Sequence, residues 1–371
     1  MTPSQDNTAG IVTEKKPASP YDIRNGHPAN GLVWGLETFG SHQPPSDDNF
    51  HTRNGRQFLR SSSCDKKSIR QKDRSPGWYK TEYENIRYTE TEDGEHDVFT
   101  WQTPVGTVTG RRHENHFNEY PVKSMEDLNV WNYVHSHMHF SRNAEWLKKR
   151  DEKKIDTIGL NWSPVQQLLQ FDIGVENFYY FLMDAPDAMA TLLNTMQERC
   201  LERLQLGLSL FPSASNIYWG ENTSSSMISP AYYRQLTLPH IRAYARLAHQ
   251  HNKRLNVHMC GLLRDLLDCF LLTEMDGIDS ATPPPVGDTP YRLIRSKFKP
   301  DFYIMGRLNA QLWVGKDRAT LQNTLREMIY PELLQTPFLL AVTSDAIPDI
   351  PRDDVMRLYE VLQNMDWQET I

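Results

Sequence analysis

The sequence predicts an α/β fold: a (β/α)8 TIM barrel with an N-terminal extension and an antiparallel β excursion. Three observations carry this reading. From about residue 124 onward, short apolar or β-branched runs alternate with helical stretches, joined by short connections. Such alternation implies a parallel sheet, because a crossover helix returns the chain to lay the next strand parallel to the last. About six strand–helix units can be counted, with one or two more early in the chain, which favours a closed barrel over an open doubly wound sheet. Finally, no Gly-x-Gly-x-x-Gly and no Gly-x-x-x-x-Gly-Lys occurs, so dinucleotide and P-loop folds lack their phosphate-cradling glycines.

The elements follow in chain order. Residues 1–30 are rich in Thr, Ser, Asn, Pro and Lys with no apolar period, and read as a flexible arm. Residues 31–371 read as one barrel domain, irregular up to about residue 75 apart from a strand at 31–36. Strand-like residues 87–91, 97–102 and 107–110 are separated by the turns Glu92-Asp93-Gly94-Glu95 and Thr103-Pro104-Val105-Gly106, which makes the antiparallel excursion. Ser124-Met125-Glu126-Asp127 has the spacing of a helix-starting box. A strand at 155–160 precedes a helix that opens at Asp184-Ala185-Pro186 and runs to 208, with Leu192, Met196, Cys200, Leu204 and Leu208 on one stripe. Strands follow at 216–220, 254–257, 277–281, 302–305 and 338–342. Between and after them lie a helix starting at Ser229-Pro230, broken or kinked at Pro239, and helices at 262–274, 319–330 and 352–364.

Bulk composition narrows the function classes. At 39% hydrophobic residues the chain has ample material for a core. A net charge of −7 weighs against nucleic acid and against anionic membranes, both of which call for a basic face. No apolar run of about 18 residues occurs, and residues 1–20 lack the apolar stretch of a secretory signal. The four cysteines are therefore expected to be reduced thiols in a cytoplasmic protein.

In a barrel, chemistry sits just beyond the C-terminal ends of the strands. Those positions hold Glu221 and Asn222, then His258, Cys260 and Gly261, then Ser280 and Thr282, then Arg307 and Asn309, then Ser344 and Asp345. His258 and Cys260 are the sharpest pair, because alternate residues leaving a strand share a face. An imidazole and a thiolate suit zinc. A lone His-x-Cys also arises by chance, and a buried Cys often serves as a small hydrophobe. The strand-end position and Gly261 favour the metal reading. Glu221 is the candidate third ligand or catalytic carboxylate. Asp345 is a fourth ligand, an outer-shell partner or a catalytic acid. Asn222, Arg307, Asn309 and Ser344 are candidate substrate-binding groups, with the substrate a small molecule. A metal here would bind a thiol as its anion, reactive near neutral pH. Cys269 and Cys200 read as core, and Cys64 has no evident partner. His135, His137 and His139 alternate, but no Cys or acid stands at a fixed spacing to complete a second metal site.

At these residues the chain resembles the uroporphyrinogen decarboxylase superfamily, and within it the corrinoid-dependent methyltransferases. The resemblance runs from about Val98 to the C-terminus. Its markers are Thr103-Pro-Val-Gly-Thr-Val108, Pro121-Val-Lys-Ser-Met-Glu-Asp127, Ser229-Pro-Ala-Tyr-Tyr233 with Pro239, His258-Met-Cys-Gly261, Gly277-Ile-Asp279 and Ser344-Asp-Ala-Ile-Pro348. The resemblance implies a TIM barrel in which a His-x-Cys pair and a later Cys hold zinc, and the zinc activates a thiol that takes a methyl group from a corrinoid. His258 and Cys260 match that pair, whereas Ser344-Asp345 stands where the thiol-activating members carry Cys. No corrinoid-binding Asp-x-His-x-x-Gly segment occurs, so the corrinoid is expected on a separate protein or as free cobalamin. The resemblance also implies a homodimer. The alternative is a metal-independent lyase, with Asp345 as acid and Arg111, Arg112 or Arg307 gripping an anionic substrate. The decarboxylase's arginine-rich N-terminal signature is not found before residue 60. A non-catalytic barrel that binds a corrinoid or tetrapyrrole is a third reading.

Overall fold

The alternation of strand and helix is realised as a run of parallel strands hydrogen-bonded in one order. This computed structural model describes residues 77–113, 116–149, 155–342 and 350–367, and the strand assignments at Trp34–Leu36, Phe50–Arg53 and Arg56–Leu59. The strands are β1 (Trp34–Leu36), β2 (Phe50–Arg53), β3 (Arg56–Leu59), β4 (Tyr79–Tyr83), β5 (Arg87–Asp93), β6 (His96–Thr103), β7 (Gly106–His113) and β8 (His116–Glu119). They continue with β9 (Met138–Arg142), β10 (Thr157–Leu160), β11 (Asn216–Gly220), β12 (Arg254–His258), β13 (Gly277–Ala281), β14 (Tyr303–Leu308) and β15 (Phe338–Val342).

The main sheet has seven strands in the order β1-β15-β14-β13-β12-β11-β10, parallel throughout. From β10 to β15 each strand lies beside its neighbour in sequence, the order that successive crossover helices produce. This is the strand order of a (β/α) barrel, although among the described residues no ladder joins β10 to β1. The antiparallel excursion is the four-stranded sheet β5-β6-β7-β8, and β4 pairs separately with β9.

Several elements differ from the sequence reading. The segment read as irregular contains the hairpin β2–β3. The helix expected over 262–274 is a 3-10 turn, Arg264–Leu266, followed by the single turn Leu267–Phe270. The helix from Pro186 extends to Leu210 and is preceded by unanticipated helices at Pro164–Gln167 and Val175–Asp184, with a π-turn, Leu168–Asp172, between them. The box at Ser124 behaves as read. Asp127 N donates to Ser124 Oγ at 3.2 Å and Ser124 N donates to Asp127 Oδ2 at 3.0 Å, which starts helix Met125–Ser136.

Packing follows from strand alternation. Leu255 and Val257 are fully buried on one face of β12, as are Ile278 on β13 and Ile304 on β14, and each such side chain contributes about 1.5–3 kcal/mol. Asn256 and His258 alternate with them and turn to the opposite face. At the start of β12, the buried Lys253 donates from Nζ to the carbonyls of Phe211, Pro212 and Ala214, just beyond the C-terminus of helix Pro186–Leu210. A cation there satisfies buried carbonyl groups of the turn that follows the helix. Among the described residues no helix is long and apolar enough to cross a membrane.

The close approach of strands inside the sheet limits side-chain size at Gly277. A Cβ there would lie 2.4 Å from Asn256 Oδ1 and 2.7 Å from Tyr303 Cβ. Gly277→Ala is expected to lower stability by about 1–3 kcal/mol, as overpacked cores do. Urea unfolding of the two proteins checks this, and an unchanged midpoint would contradict it.

Candidate active site

The ladder β11–β12–β13 pairs Gly220 with His258 and His258 with Asp279. Side chains of register partners in a parallel sheet point to the same face, so His258 and Asp279 meet. His258 Nδ1 lies 3.1 Å from Asp279 Oδ2 and 2.9 Å from the Tyr218 hydroxyl, two residues back from Gly220 on β11. Asp279 is buried, and Ser280 Oγ donates to its other oxygen at 3.1 Å. Burial works to raise the Asp279 carboxyl. Hydrogen bonds from His258, Tyr218 and Ser280, together with the His258 charge, outweigh it and leave the pKa below its ordinary value. Gly220 supplies no side chain opposite His258. A Cβ there would lie 3.2 Å from the ring of Trp162, which closes that side.

Cys260 follows two residues after His258. Asn222 Oδ1 accepts from Cys260 N at 3.1 Å and lies 2.8 Å from its sulfur. Burial pushes the thiol up, but hydrogen bonds and charge from His258, with the Arg307 charge and Asn222, bring it below its ordinary value. Burial likewise works to lower His258, yet its hydrogen bonds to Asp279 and Cys260 raise it to about 9. The imidazolium beside the sulfur thus eases its ionisation. Gly261 turns the chain away at φ +88°, a region that side chains rarely adopt.

Other expected site residues fall elsewhere. Glu221 does not join His258 and Cys260. It sits under the helices, where Thr223 Oγ1 donates to Oε1, Ser163 also hydrogen-bonds the carboxyl, and Tyr233 is a neighbour. The alternation Ile217, Trp219, Glu221 puts it on the face opposite Tyr218. Asn309 is a helix cap: its Oδ1 accepts from Gln311 N at 3.0 Å and starts the 3-10 turn Ala310–Leu312. Asn222 orients Cys260, and its carboxamide oxygen is used in doing so. Arg307 stands close enough for its charge to act on Cys260. Ser344, Asp345, Cys64 and the arm at 1–30 lie outside the described residues.

Among the described residues no group of three or more His, Cys, Asp or Glu is arranged to hold a metal ion. His135, His137 and His139 diverge accordingly: His135 is buried, His137 stacks on Tyr133 at 3.8 Å, and His139 faces Glu84 and Glu202. Cys200 and Cys269 are buried, as expected of packing residues. The sequence reading passed over two members of the cluster, Tyr218 and Asp279. The signal for them was their place on the same strand face as His258.

Burial raises the Glu221 carboxyl from 4.5 to about 7. The folded state therefore holds this proton to higher pH than the unfolded chain does. The stability it contributes is complete below pH 4.5 and is lost as pH rises from 4.5 through 7, amounting to about 3 kcal/mol at most. Glu221→Gln is expected to remove that slope. Chemical denaturation at pH 5 and pH 8 reads the difference, and an unchanged slope in the variant contradicts it.

Comparison with known proteins finds similar solved structures and a matching family. A methyltransferase from Methanosarcina mazei is similar at 14% identity and a TM-score of 0.44, over 68% of this chain and 73% of that one. A mannanase from Bacillus subtilis is similar at 14% identity and a TM-score of 0.29, over 57% of this chain and 65% of that one. A xylose isomerase-like TIM barrel protein from Mycobacterium smegmatis, in complex with magnesium, is similar at 13% identity and a TM-score of 0.28, over 64% of this chain and 88% of that one. No functional reading rests on these three. A comparison with curated proteins finds no match. The model of the uroporphyrinogen decarboxylase (URO-D) family, whose fold is a TIM barrel, matches residues 108–365, and the chain belongs to that family.

Proposed function

We propose that the chain is an enzyme that moves a methyl group between a corrinoid and a small thiol, with His258 and Cys260 at its centre. One observation carries this reading. A sulfur and an imidazole converge at the end of β12, the thiol's pKa held below its ordinary value by the imidazole and the imidazole steadied from behind by a carboxylate. The corrinoid is supplied by a separate protein or as free cobalamin, and the enzyme works as a homodimer in the cytoplasm.

The resemblance implies zinc, and the residues present fit it in kind. A metal-binding histidine commonly gives its other ring nitrogen to a carboxylate, as His258 Nδ1 does to Asp279. His258 Nε2 and Cys260 Sγ would hold the metal, and further ligands would have to come from substrate or from beyond the described residues. Zinc there would act as a Lewis acid that keeps a bound thiol ionised near neutral pH. The chain's own residues do the rest. Asp279 and Tyr218 fix the imidazole's orientation, Asn222 fixes the direction of Cys260, and the Arg307 cation favours negative charge on substrate and sulfur.

Arg307 also favours a second reading. A guanidinium at the barrel mouth suits a carboxylate, and a metal-independent decarboxylation would use it as anchor. The two readings separate on one experiment. Purified protein is analysed for zinc, then mixed with methylcobalamin and dithiothreitol while the methylcobalamin spectrum is followed. The expected result is about one zinc per chain and thiol-dependent demethylation, both lost in His258→Ala and Cys260→Ala. Asp279→Asn is expected to lower activity by about 10–100-fold, as loss of an outer-shell partner does. Full activity in metal-free protein would overturn the proposal. Release of CO2 from an anionic substrate, surviving Cys260→Ala, would install the second reading.

A further inference from the structure

A half-open cavity of about 530 Å³ is lined by the antiparallel excursion, β4 and β9, helices Met125–Ser136 and Pro186–Leu210, and residues between 161 and 172. Part of its wall lies on the helix side of the main sheet, while Trp162 in that wall also flanks Gly220 beside His258. Arg203, one of its walls, stands over the Trp219 ring at 5.9 Å, and Trp219 alternates with the inward-facing Tyr218. Neither His258, Cys260 nor Asp279 lines it. Its size falls within the range of small-molecule sites.

Aromatic rings make up much of the wall, with Trp101 set edge-on to Trp131 at 4.9 Å. Among these rings stand three guanidinium groups. Arg112 pairs with Asp97 at 2.7 Å and Arg199 with Glu202 at 2.7 Å. Arg203 is 8% exposed, and among the described residues no carboxylate lies within ion-pair distance of it. Its contacts are a long hydrogen bond to the Tyr79 hydroxyl at 3.4 Å, a 3.8 Å contact to Cys200 Sγ, and the faces of Tyr79, Phe140 and Trp219. Four buried donor atoms on the wall have no hydrogen-bond partner: Arg112 Nε, Arg199 Nε, Arg203 Nε and Trp101 Nε1. Neither ring nitrogen of the buried His135 has one. Of the two carboxylates on the wall, Asp172 accepts from Trp131 and Gln167, and Glu90 is exposed.

The wall is thus rich in unused donors and positive charge, poor in free acceptors, and flat-sided. Buried donors and charges left in this state cost stability, and an acceptor bearing negative charge relieves both. We propose that this cavity is a second binding site, for an aromatic carboxylate, with the ring against the aromatic wall and the carboxylate on Arg203. The ligand chemistry follows from the wall alone and does not depend on the reaction proposed for the barrel.

The test uses the full chain and 1-naphthoate as probe, followed by tryptophan fluorescence and calorimetry, since Trp101, Trp131 and Trp162 line the cavity. The neutral comparator is 1-naphthalenemethanol. Saturable binding of the acid is expected, with the alcohol weaker by about tenfold or more, the loss of one charged hydrogen bond. Arg203→Met is expected to weaken the acid by a similar factor and leave the alcohol unchanged. If that variant does not fold, Arg199→Met, at a side chain 21% exposed, serves in its place. Arg307→Met, at the barrel mouth, should bind the acid as the parent does. No saturable binding, equal affinity for acid and alcohol, or a loss in Arg307→Met in place of the cavity variants would each overturn the proposal.

Discussion

The pairing of Gly220, His258 and Asp279 across three adjacent strands is the constraint on which the site depends. A shift of one residue in β12 would turn His258 beneath the helices and bring Val257 to the barrel interior. The register holds because the other face buries aliphatic side chains at these strands: Leu255 and Val257 are fully buried there, and Ile278 nearly so. Hydrophobic packing outside the barrel thus fixes which polar groups meet inside it. The backbone adds a local adjustment. β13 slips register against β14 between Ile278 and Ala281, and Ser280 takes φ 67°, left-handed for a residue with a side chain. Such a conformation costs on the order of 1–3 kcal/mol and persists where the surroundings demand it. Here the result is a serine hydroxyl delivered to Asp279.

The same alternation divides the polar residues of β11 between two environments. Tyr218 joins His258, while Glu221 goes with Trp219 to the helix side. That side already holds Arg203 and Cys200, and Trp219 stacks on Tyr244 at 3.6 Å. Glu221 and Arg203 are both deeply buried ionisable groups, and neither is paired with an opposite charge among the described residues. They meet that cost differently. Glu221 holds a proton to higher pH, which a carboxyl can do. Arginine has no such route, because its guanidinium stays charged. Arg203 instead lies among aromatic faces and beside a cavity where an anion fits.

Periodicity made much of the fold legible. The strands at 216–220, 277–281 and 338–342 and the closing helix at 352–364 lie where their apolar runs put them. The hairpin β2–β3 was missed although Asn54-Gly55, a strong two-residue turn signal, stands between its strands. The helices between 164 and 184 were missed because a π-turn interrupts their period. In the site, His258 and Cys260 were legible because their spacing is local. Glu221 was grouped with His258 because strand-end position was read without strand parity, and parity puts it on the helix face. Asn309 was read as a substrate group although Asn also caps helices, and a helical turn follows it directly. Asp279 acts only through register with a strand that sequence position alone does not align.

Charge counting at the barrel mouth bears on which chemistry suits the site. Among the described residues, Asp279 and a thiolate at Cys260 would carry two negative charges against the two positive ones of protonated His258 and Arg307, which would leave the group balanced. Partly buried charges persist when balanced in this way and hydrogen-bonded to one another. A carboxylate substrate entering this balanced set would bring an uncompensated negative charge. A divalent ion that replaces the proton shared by His258 and Cys260 would leave one positive charge over, and a thiolate is the complement that restores neutrality. Metal binding must displace that proton, so occupancy of the site is linked to pH through the same imidazole that Asp279 holds. The carboxylate behind His258 therefore does two things at once. It raises the affinity of the ring for a proton, and it raises the basicity of the nitrogen that would face a metal. Were a metal bound, the balance between those two ligands at that nitrogen would decide whether the mouth of this barrel receives an anion.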